Sequence, residues 1–372
     1  MSKLNWKGII GWGVAIAVIF GIVGYNAYQS EKQATTGRQK IYAVLPLSGN
    51  VAFLGKKIKG VIDYATQKHT YPFEIVYVDS ESNPMKSLTA LQTATIAQEK
   101  PIVLSFMSSV GSAIVPYIKQ QKGFLFTVTT KSITADVDSF LHMDCDISDI
   151  MNPLVERILK KYNTLDIVYI EDDYGLSEKN YLVSELNKHG FNDIRVLGIP
   201  LNIQDPKNEV TKLLSKNPEV IVILGNPTLG YINLFKQIHL QDFKGDLMTA
   251  EMNDPDLNKM VQPYMEGMVA VVSPLGMQMN LSDTDKQMKE RIDESKTGLA
   301  YLVAMQVLDA LSLIEYTITN SLPFTRETYN NLTNWMNVLG NNVAFKGERP
   351  QHCPYPLILG RYQNGTFIPV EK

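Results

Sequence analysis

The sequence predicts an α/β fold of two doubly wound, parallel-sheet lobes, preceded by one apolar N-terminal segment. Three observations carry this reading. Short apolar runs of strand length alternate with longer runs of helical period from residue 39 onward. The alternation breaks near residues 141–149 and then restarts, so the same pattern is laid down twice. With 372 residues, 45% hydrophobic and 20% charged, the chain fits two average domains and has apolar residues enough to give each a core.

In the first series KIYAVLPLSG is an apolar run ending in turn residues, and a helical pattern follows over residues 56–67. The strands FEIVYVDSE, PIVLSFMSS and GFLFTVTT come next, separated by helices over residues 84–98 and 112–121. The second series opens with a helix over 151–161 and the strand DIVYIEDD. It continues through helices over 177–189, 207–215 and 229–239, set between the strands DIRVLGIP, VIVILG and GDLMTA. Residues 267–272 form a further apolar strand, 298–319 a long amphipathic helix and 325–339 another helix. The run YPLILGRYQNGTFIPV reads as a hairpin turning at Asn364-Gly365, because the Asn-Gly pair suits the left-handed central positions of a tight turn. Strands alternating with helices give a mainly parallel sheet with helices on both faces, once for each series.

Composition excludes several classes. The 35 basic and 38 acidic residues give a net charge of -3, without the basic excess of a nucleic-acid binder. Two cysteines, Cys145 and Cys353, are too few for a disulfide-built scaffold or a four-thiolate metal centre. Residues 8–25, GIIGWGVAIAVIFGIVGY, carry no charge and lie between Lys3 and Lys7 on one side and Glu31 and Lys32 on the other. That length just crosses a hydrocarbon core ~30 Å thick. No small-x-small pair marks a cleavage site near Ala27 or Ala34, so the segment reads as a retained inner-membrane anchor rather than a cleaved signal peptide. The short N-terminal tail then stays inside and the large domain is exported.

Catalytic motifs fail one by one. SGNVAFLGKK has five residues between Gly49 and Gly55 where a phosphate loop has four, and Lys57 stands where a magnesium-binding hydroxyl belongs. There is no G-x-G-x-x-G, G-x-S-x-G or H-E-x-x-H, and the five histidines lack ligand spacing. Asp172 and Asp173 are adjacent at a strand end, where neighbouring side chains point to opposite faces. The sequence therefore predicts no enzyme, no cofactor and no metal.

Polar residues gather instead at strand ends, where open α/β sheets bind ligands. Ser48-Gly49, Ser108-Ser109 and Thr129-Thr130-Lys131-Ser132 end the first, third and fourth strands of the first series. Hydroxyls and N–H groups at helix N-termini hold a carboxylate without burying a countercharge, although Ser and Thr also serve there as ordinary caps. In the second series Asp173-Tyr174-Gly175, Asn226 and Glu251 stand at the same level. A carboxylate and a phenol suit an ammonium group, so the two halves together point to a small zwitterion.

These positions carry a resemblance. PLSGNVAFLGKKIKGVIDYA, VDSESNPMKSLTA, SFMSSVGSAIVP, LFTVTTKSITADV, IEDDYG and LMTAEMNDPDL, in this order, resemble the type I periplasmic binding proteins of the branched-chain amino-acid (Leu/Ile/Val) group from about residue 40 to the end. The resemblance implies two lobes joined by three crossings and closing on a ligand. It divides the chain into an anchor and linker at 1–39, an N-lobe at 40–146 plus 274–351, and a C-lobe at 147–273 plus 352–372. It implies that Ser108, Ser109, Thr130 and Ser132 bind the ligand carboxylate, that Tyr174 and Glu251 meet its amino group, and that Leu54 and Asn226 border its side chain. Lys131 departs from the small residue usual there and would favour an acidic or longer polar ligand. Cys145 and Cys353 fall near the first and third crossings, where an oxidising compartment permits a disulfide. The function implied is capture of an amino-acid-like ligand in the periplasm for an ABC importer. The alternative is a sensor or envelope scaffold that kept the fold and works through a separate transducer.

Overall fold

Strand-length apolar runs build two sheets in a computed structural model that describes residues 38–49, 51–128, 138–201, 203–225, 229–250 and 259–370. The apolar segment at residues 8–25 lies outside the described residues. The first sheet contains β1 (Gln39–Leu45), β2 (Phe73–Asp79), β3 (Ile102–Phe106), β4 (Phe124–Val128) and β5 (Phe140–His142), in the order β2-β1-β3-β4-β5. Its pairs β1/β3, β3/β4 and β4/β5 are parallel. Helices α1 (Ala52–Lys68), α2 (Pro84–Ala94) and α3 (Ser108–Gln120) supply the crossovers.

The second sheet contains β6 (Leu165–Ile170), β7 (Ile194–Ile199), β8 (Val220–Leu224), β9 (Asp246–Thr249) and β10 (Val269–Val272), with β13 (Ile358–Gln363) and β14 (Thr366–Pro369) added at one edge. Its parallel part runs β7-β6-β8-β9-β10, the same winding as the first sheet. Helices α4 (Ile147–Lys161), α5 (Asp173–Lys188), α6 (Lys207–Leu214) and α7 (Leu229–Leu240) belong to this lobe. The edge hairpin β13–β14 is antiparallel and turns at Asn364 (φ 51°) and Gly365 (φ 88°), as the Asn-Gly signal predicts.

Strand burial follows from this layering. Every residue of β3, β4 and β8 is buried, as expected for parallel strands covered on both faces. One continuous core runs through both lobes and includes α9 (Tyr301–Thr319), whose Leu302, Met305 and Leu308 are nearly inaccessible. By length and composition α9 is apolar enough to cross a membrane, but it packs on α1 and β4 as a core helix.

Three features differ from the sequence reading. Residues 325–339 form only a short helix, α10 (Arg326–Asn330), because asparagines take over the backbone beyond it. Asn337 Oδ1 accepts the N–H groups of Leu339 and Asn341 and fixes a turn. Helix α8 (Asp283–Glu294) was not anticipated, since only Met288 and Ile292 on it are buried and the rest is polar. The break at 141–149 contains the three-residue strand β5, too short to register as a period.

The chain passes between the lobes three times: after β5, after β10, and after a short strand β12 (Arg349–Pro350) that pairs with β11 (Phe345–Lys346). Cys145 and Cys353 are joined by a disulfide, with 4.5 Å between their Cα atoms and 208 residues between them in sequence, and so tie the first crossing to the third.

Candidate functional site

Both sheets change winding direction at one pair of strands, β1/β3 in the first and β6/β8 in the second. At such a point the loops leaving the carboxyl ends part to opposite faces and leave a crevice. Both crevices open onto one cleft between the lobes, a cavity of ≈ 120 Å³.

The first lobe builds its wall from two loops knitted together. Asp79, the last residue of β2, accepts the N–H groups of Leu47 at 2.9 Å, Ser48 at 3.1 Å and Glu81 at 2.9 Å. Partial burial pushes its carboxyl up, but these bonds outweigh that and hold it below the ordinary carboxylate value. Ser82 Oγ donates to Ser48 C=O and accepts the Val51 N–H, carrying the second loop across the first. Gly49 sits inside this knot with φ 85°, and a Cβ there would lie 2.4 Å from the Glu81 carbonyl oxygen. Beside it, α3 begins directly on the cleft. Its N-cap, Met107, takes φ 80°, a conformation costing ~1–3 kcal/mol for a residue other than glycine, and supplies no side-chain cap. Ser108 and Ser109 therefore form the first turn of the helix and do not cap it, and both line the cleft.

The second lobe answers with α5. Asp172 caps this helix by accepting the Gly175 N–H at 2.7 Å. A Cβ on Gly175 would meet the Ile170 carbonyl oxygen at 2.4 Å, so glycine lets the first turn settle on the end of β6. Asp173 and Tyr174 are thereby carried to the cleft, opposite Ser108 and Ser109, and helices α3 and α5 approach each other across it. One wall offers hydroxyls and a helix N-terminus; the other offers a carboxylate and a phenol.

Of the residues singled out from sequence, Ser108, Ser109 and Tyr174 come together here. Leu54 is half-buried on α1, packs against the core and is not among the described residues that line this cavity. Thr130, Lys131, Ser132, Asn226 and Glu251 lie outside the described residues. Sequence reading passed over Ser82, Met107 and Leu201, which also line the cleft. The Ser-Asn-Pro run that follows β2 was the available signal, since Asn83 caps α2 and fixes the loop in which Ser82 sits. Among the described residues there is no His, Cys, Asp and Glu grouping able to hold a metal ion.

Paired doubly wound lobes with a polar cleft at both switch points define a two-lobed receptor for small ligands. The chain belongs to the type I periplasmic binding proteins, the group that includes the branched-chain amino-acid receptors; the sequence model of the periplasmic binding protein family matches residues 39–353. Members of this family are ligand-binding proteins that act outside the cytoplasm. Among solved structures, the chain is similar to a solute-binding protein of an ABC transporter from R. palustris in complex with 4-hydroxybenzoate, with TM-score 0.75 and 17% identity over 90% of this chain and 96% of that one. It is similar to a leucine-binding protein from Thermotoga maritima, with TM-score 0.72 and 17% identity over 90% and 98% of the two chains. An extracellular ligand-binding receptor from Rhodopseudomonas palustris HaA2 gives TM-score 0.76 at 17% identity, over 90% and 100%. No curated protein matches the sequence.

Proposed function

We propose that the protein captures a small zwitterion of amino-acid type in the interlobe cleft, retains it by lobe closure, and delivers it to an ABC importer. The observation that carries this is the pairing of Ser108 and Ser109 on one wall with Asp173 and Tyr174 on the other. Hydroxyls and N–H groups at the start of α3 suit a carboxylate, and the positive end of the helix dipole favours it. The acid and phenol of α5 suit an ammonium. A ligand touching both walls binds the closed form better than the open one, and this difference drives closure. Leucine and 4-hydroxybenzoate, named for two structural neighbours, share a carboxylate and little else, and a carboxylate is the group proposed here for the Ser108 and Ser109 wall. By resemblance, Thr130 and Ser132 extend the first wall, and Glu251 and Asn226 the second. No histidine or cysteine lines the cleft among the described residues, and the site is read as binding its ligand unchanged. The uncharged segment at 8–25 is read as the tether that keeps the receptor beside its membrane partner.

The test is calorimetric titration of the full chain, unfolded and refolded to remove carried-over ligand, against the amino acids. Saturable binding of at least one is expected, with Tyr174→Phe and Glu251→Ala each weakening it about tenfold or more, equivalent to about 1.4 kcal/mol. Absence of binding across the set would remove the zwitterion assignment and leave the fold with a different ligand or a scaffolding role.

A further inference from the structure

Helices α2 and α8 both lie at the surface with two buried residues each, yet they meet water in opposite ways. On α8 the buried pair is Met288 and Ile292, and eight of its 12 residues are charged. On α2 the pair is Ser87 and Leu91, and Lys86 is the one charged residue of 11. Lys86 is itself paired with Glu81 of the preceding loop. From Ser87 to Gln98 the chain carries no charge at all. A helix with one face in water ordinarily carries its charged residues there, as α8 does.

The outer face of α2 is built for packing. Met85, Thr89 and Thr93 recur every fourth residue and form one exposed stripe about 12 Å long, with Ile96 just past the C-cap at its end. Met85 is 70% exposed and Ile96 88%, far more than a large apolar side chain ordinarily shows. Thr89 Oγ1 donates to the Met85 carbonyl at 3.1 Å and Thr93 Oγ1 to the Thr89 carbonyl at 2.9 Å. Both hydroxyl protons are thus used within the helix, and the methyl groups are left to pack. Helix α3 lies alongside, joined where Tyr117 and Thr95 share a hydrogen bond at 2.7 Å. Its exposed Ser112 and Pro116 widen the uncharged surface, and its one charge, Lys119, stands in the last turn. Contiguous apolar surface of this kind marks an interaction site.

We propose that the outer face of α2, widened by α3, is a contact with a second copy of this chain, the two related by a two-fold axis. In such a contact each patch meets itself, so an unpaired charge on it would face its own kind. This patch is free of that conflict, and its groups complement themselves: methyls pack on methyls, and the Gln92 amide both donates and accepts. Chain direction favours the same partner. Helix α2 runs back against the parallel strands and ends shortly before Ile102, which pairs with Ile41 near the start of β1. Ile96 therefore stands at the end of the lobe where the chain arrives from the uncharged segment at 8–25. That segment, read above as a tether, confines copies to one membrane and raises the local concentration at which a modest contact persists. None of Met85, Thr89, Thr93, Ile96, Ser112 and Pro116 lines the cleft, so the contact leaves ligand capture to each copy.

The test is sedimentation of the full chain in detergent, as the parent, as Thr93→Glu/Ile96→Glu and as Thr93→Lys/Ile96→Lys. The parent is expected to dimerise at micromolar concentration. Each variant alone should dimerise about tenfold or more weakly, because like charges then face each other across the axis. An equal mixture of the two variants should recover the dimer, since opposite charges now meet. Thermal melts of both variants should match the parent, because Thr93 and Ile96 are exposed. Three results would each overturn the proposal. A monomeric parent would leave this face to a different partner. A dimer of parental strength in both variants would place the contact elsewhere, the tether included. A mixture no more dimeric than its components would show that the face does not meet itself.

Discussion

The outer crossings and the middle crossing join the same two sheets by different means. The first and third lie side by side and are fastened several times over. Cys145 is bonded to Cys353, Asp146 pairs with Arg349 at 2.7 Å, and the His142 N–H donates to the Glu348 carbonyl. Tyr355, just past the disulfide, donates its hydroxyl to Asp309 of α9 at 2.5 Å. The middle crossing has a 3-10 turn at Pro274–Gly276, capped by Ser273, and is held to the edge strand β14 by the Gln278 N–H donating to the Phe367 carbonyl at 2.8 Å, with no covalent link. Closure on a ligand needs chain segments that bend. On the proposed closure, the disulfide keeps the outer pair at a fixed separation, and adjustment is expected to fall at the middle crossing, which has no covalent link.

The largest break in that contrast comes from Cys145→Ser with Cys353→Ser. Removing a native cross-link between such distant residues costs ~2–5 kcal/mol, chiefly by freeing the unfolded chain. Urea unfolding under non-reducing conditions should show the midpoint falling by a corresponding amount. An unchanged midpoint would mean that the polar contacts alone hold the outer crossings.

The next largest effect belongs to Asp309, which is fully buried. Burial pushes its carboxyl up to about 7, against the opposing pull of hydrogen bonds from Tyr355 and the Val338 N–H and of the Arg291 charge. A carboxyl whose folded value lies above its unfolded value of ~4 holds its proton longer when folded, so its contribution to stability is complete in acid. That contribution is lost as pH rises from about 4 to about 7, at about 1.4 kcal/mol per pH unit. Asp309→Asn keeps an acceptor for Val338 and a donor for Tyr355 while removing the proton equilibrium. Urea midpoints compared at pH 5 and pH 8 should fall less in this variant than in the parent; parallel curves would show that Asp309 is not the group titrating.

Much of this architecture is readable from sequence because period is a local property. The alternation of strands and helices, the Asn364-Gly365 turn and the polar strand ends at Ser108 and Tyr174 each depend on residues close in the chain. What escaped reading depends on distant neighbours. Asp79 looks like one more strand-end acid until the strand order sets β2 beside β1 and brings the Leu47 and Ser48 amides to it. Helix α8 is silent in sequence because two buried residues, four apart, are too few to make a pattern.

The finest comparison sets one cap in the outer pair against one in the middle crossing. Asp146 caps α4 by accepting the Ser148 N–H at 2.9 Å and its hydroxyl at 2.7 Å, while holding Arg349 as well. Burial pushes its carboxyl up, but the Ser148 bonds and the Arg349 charge prevail and leave it below the ordinary value. Its contribution is therefore complete at neutral pH and is lost as pH falls through its folded value. Asp146→Ala should cost ~1–2 kcal/mol at pH 7, the upper half of the range for a lost cap, and distinctly less in strong acid. Ser273 accepts the Leu275 N–H at a long 3.4 Å and has no charged partner among its described contacts. Ser273→Ala should cost about 0.5 kcal/mol, with no dependence on pH. Unfolding midpoints for both variants at two pH values give the ratio directly. Equal costs, or a pH dependence at Ser273, would place the firm connection at the middle crossing and reverse the assignment of fixed separation and adjustment.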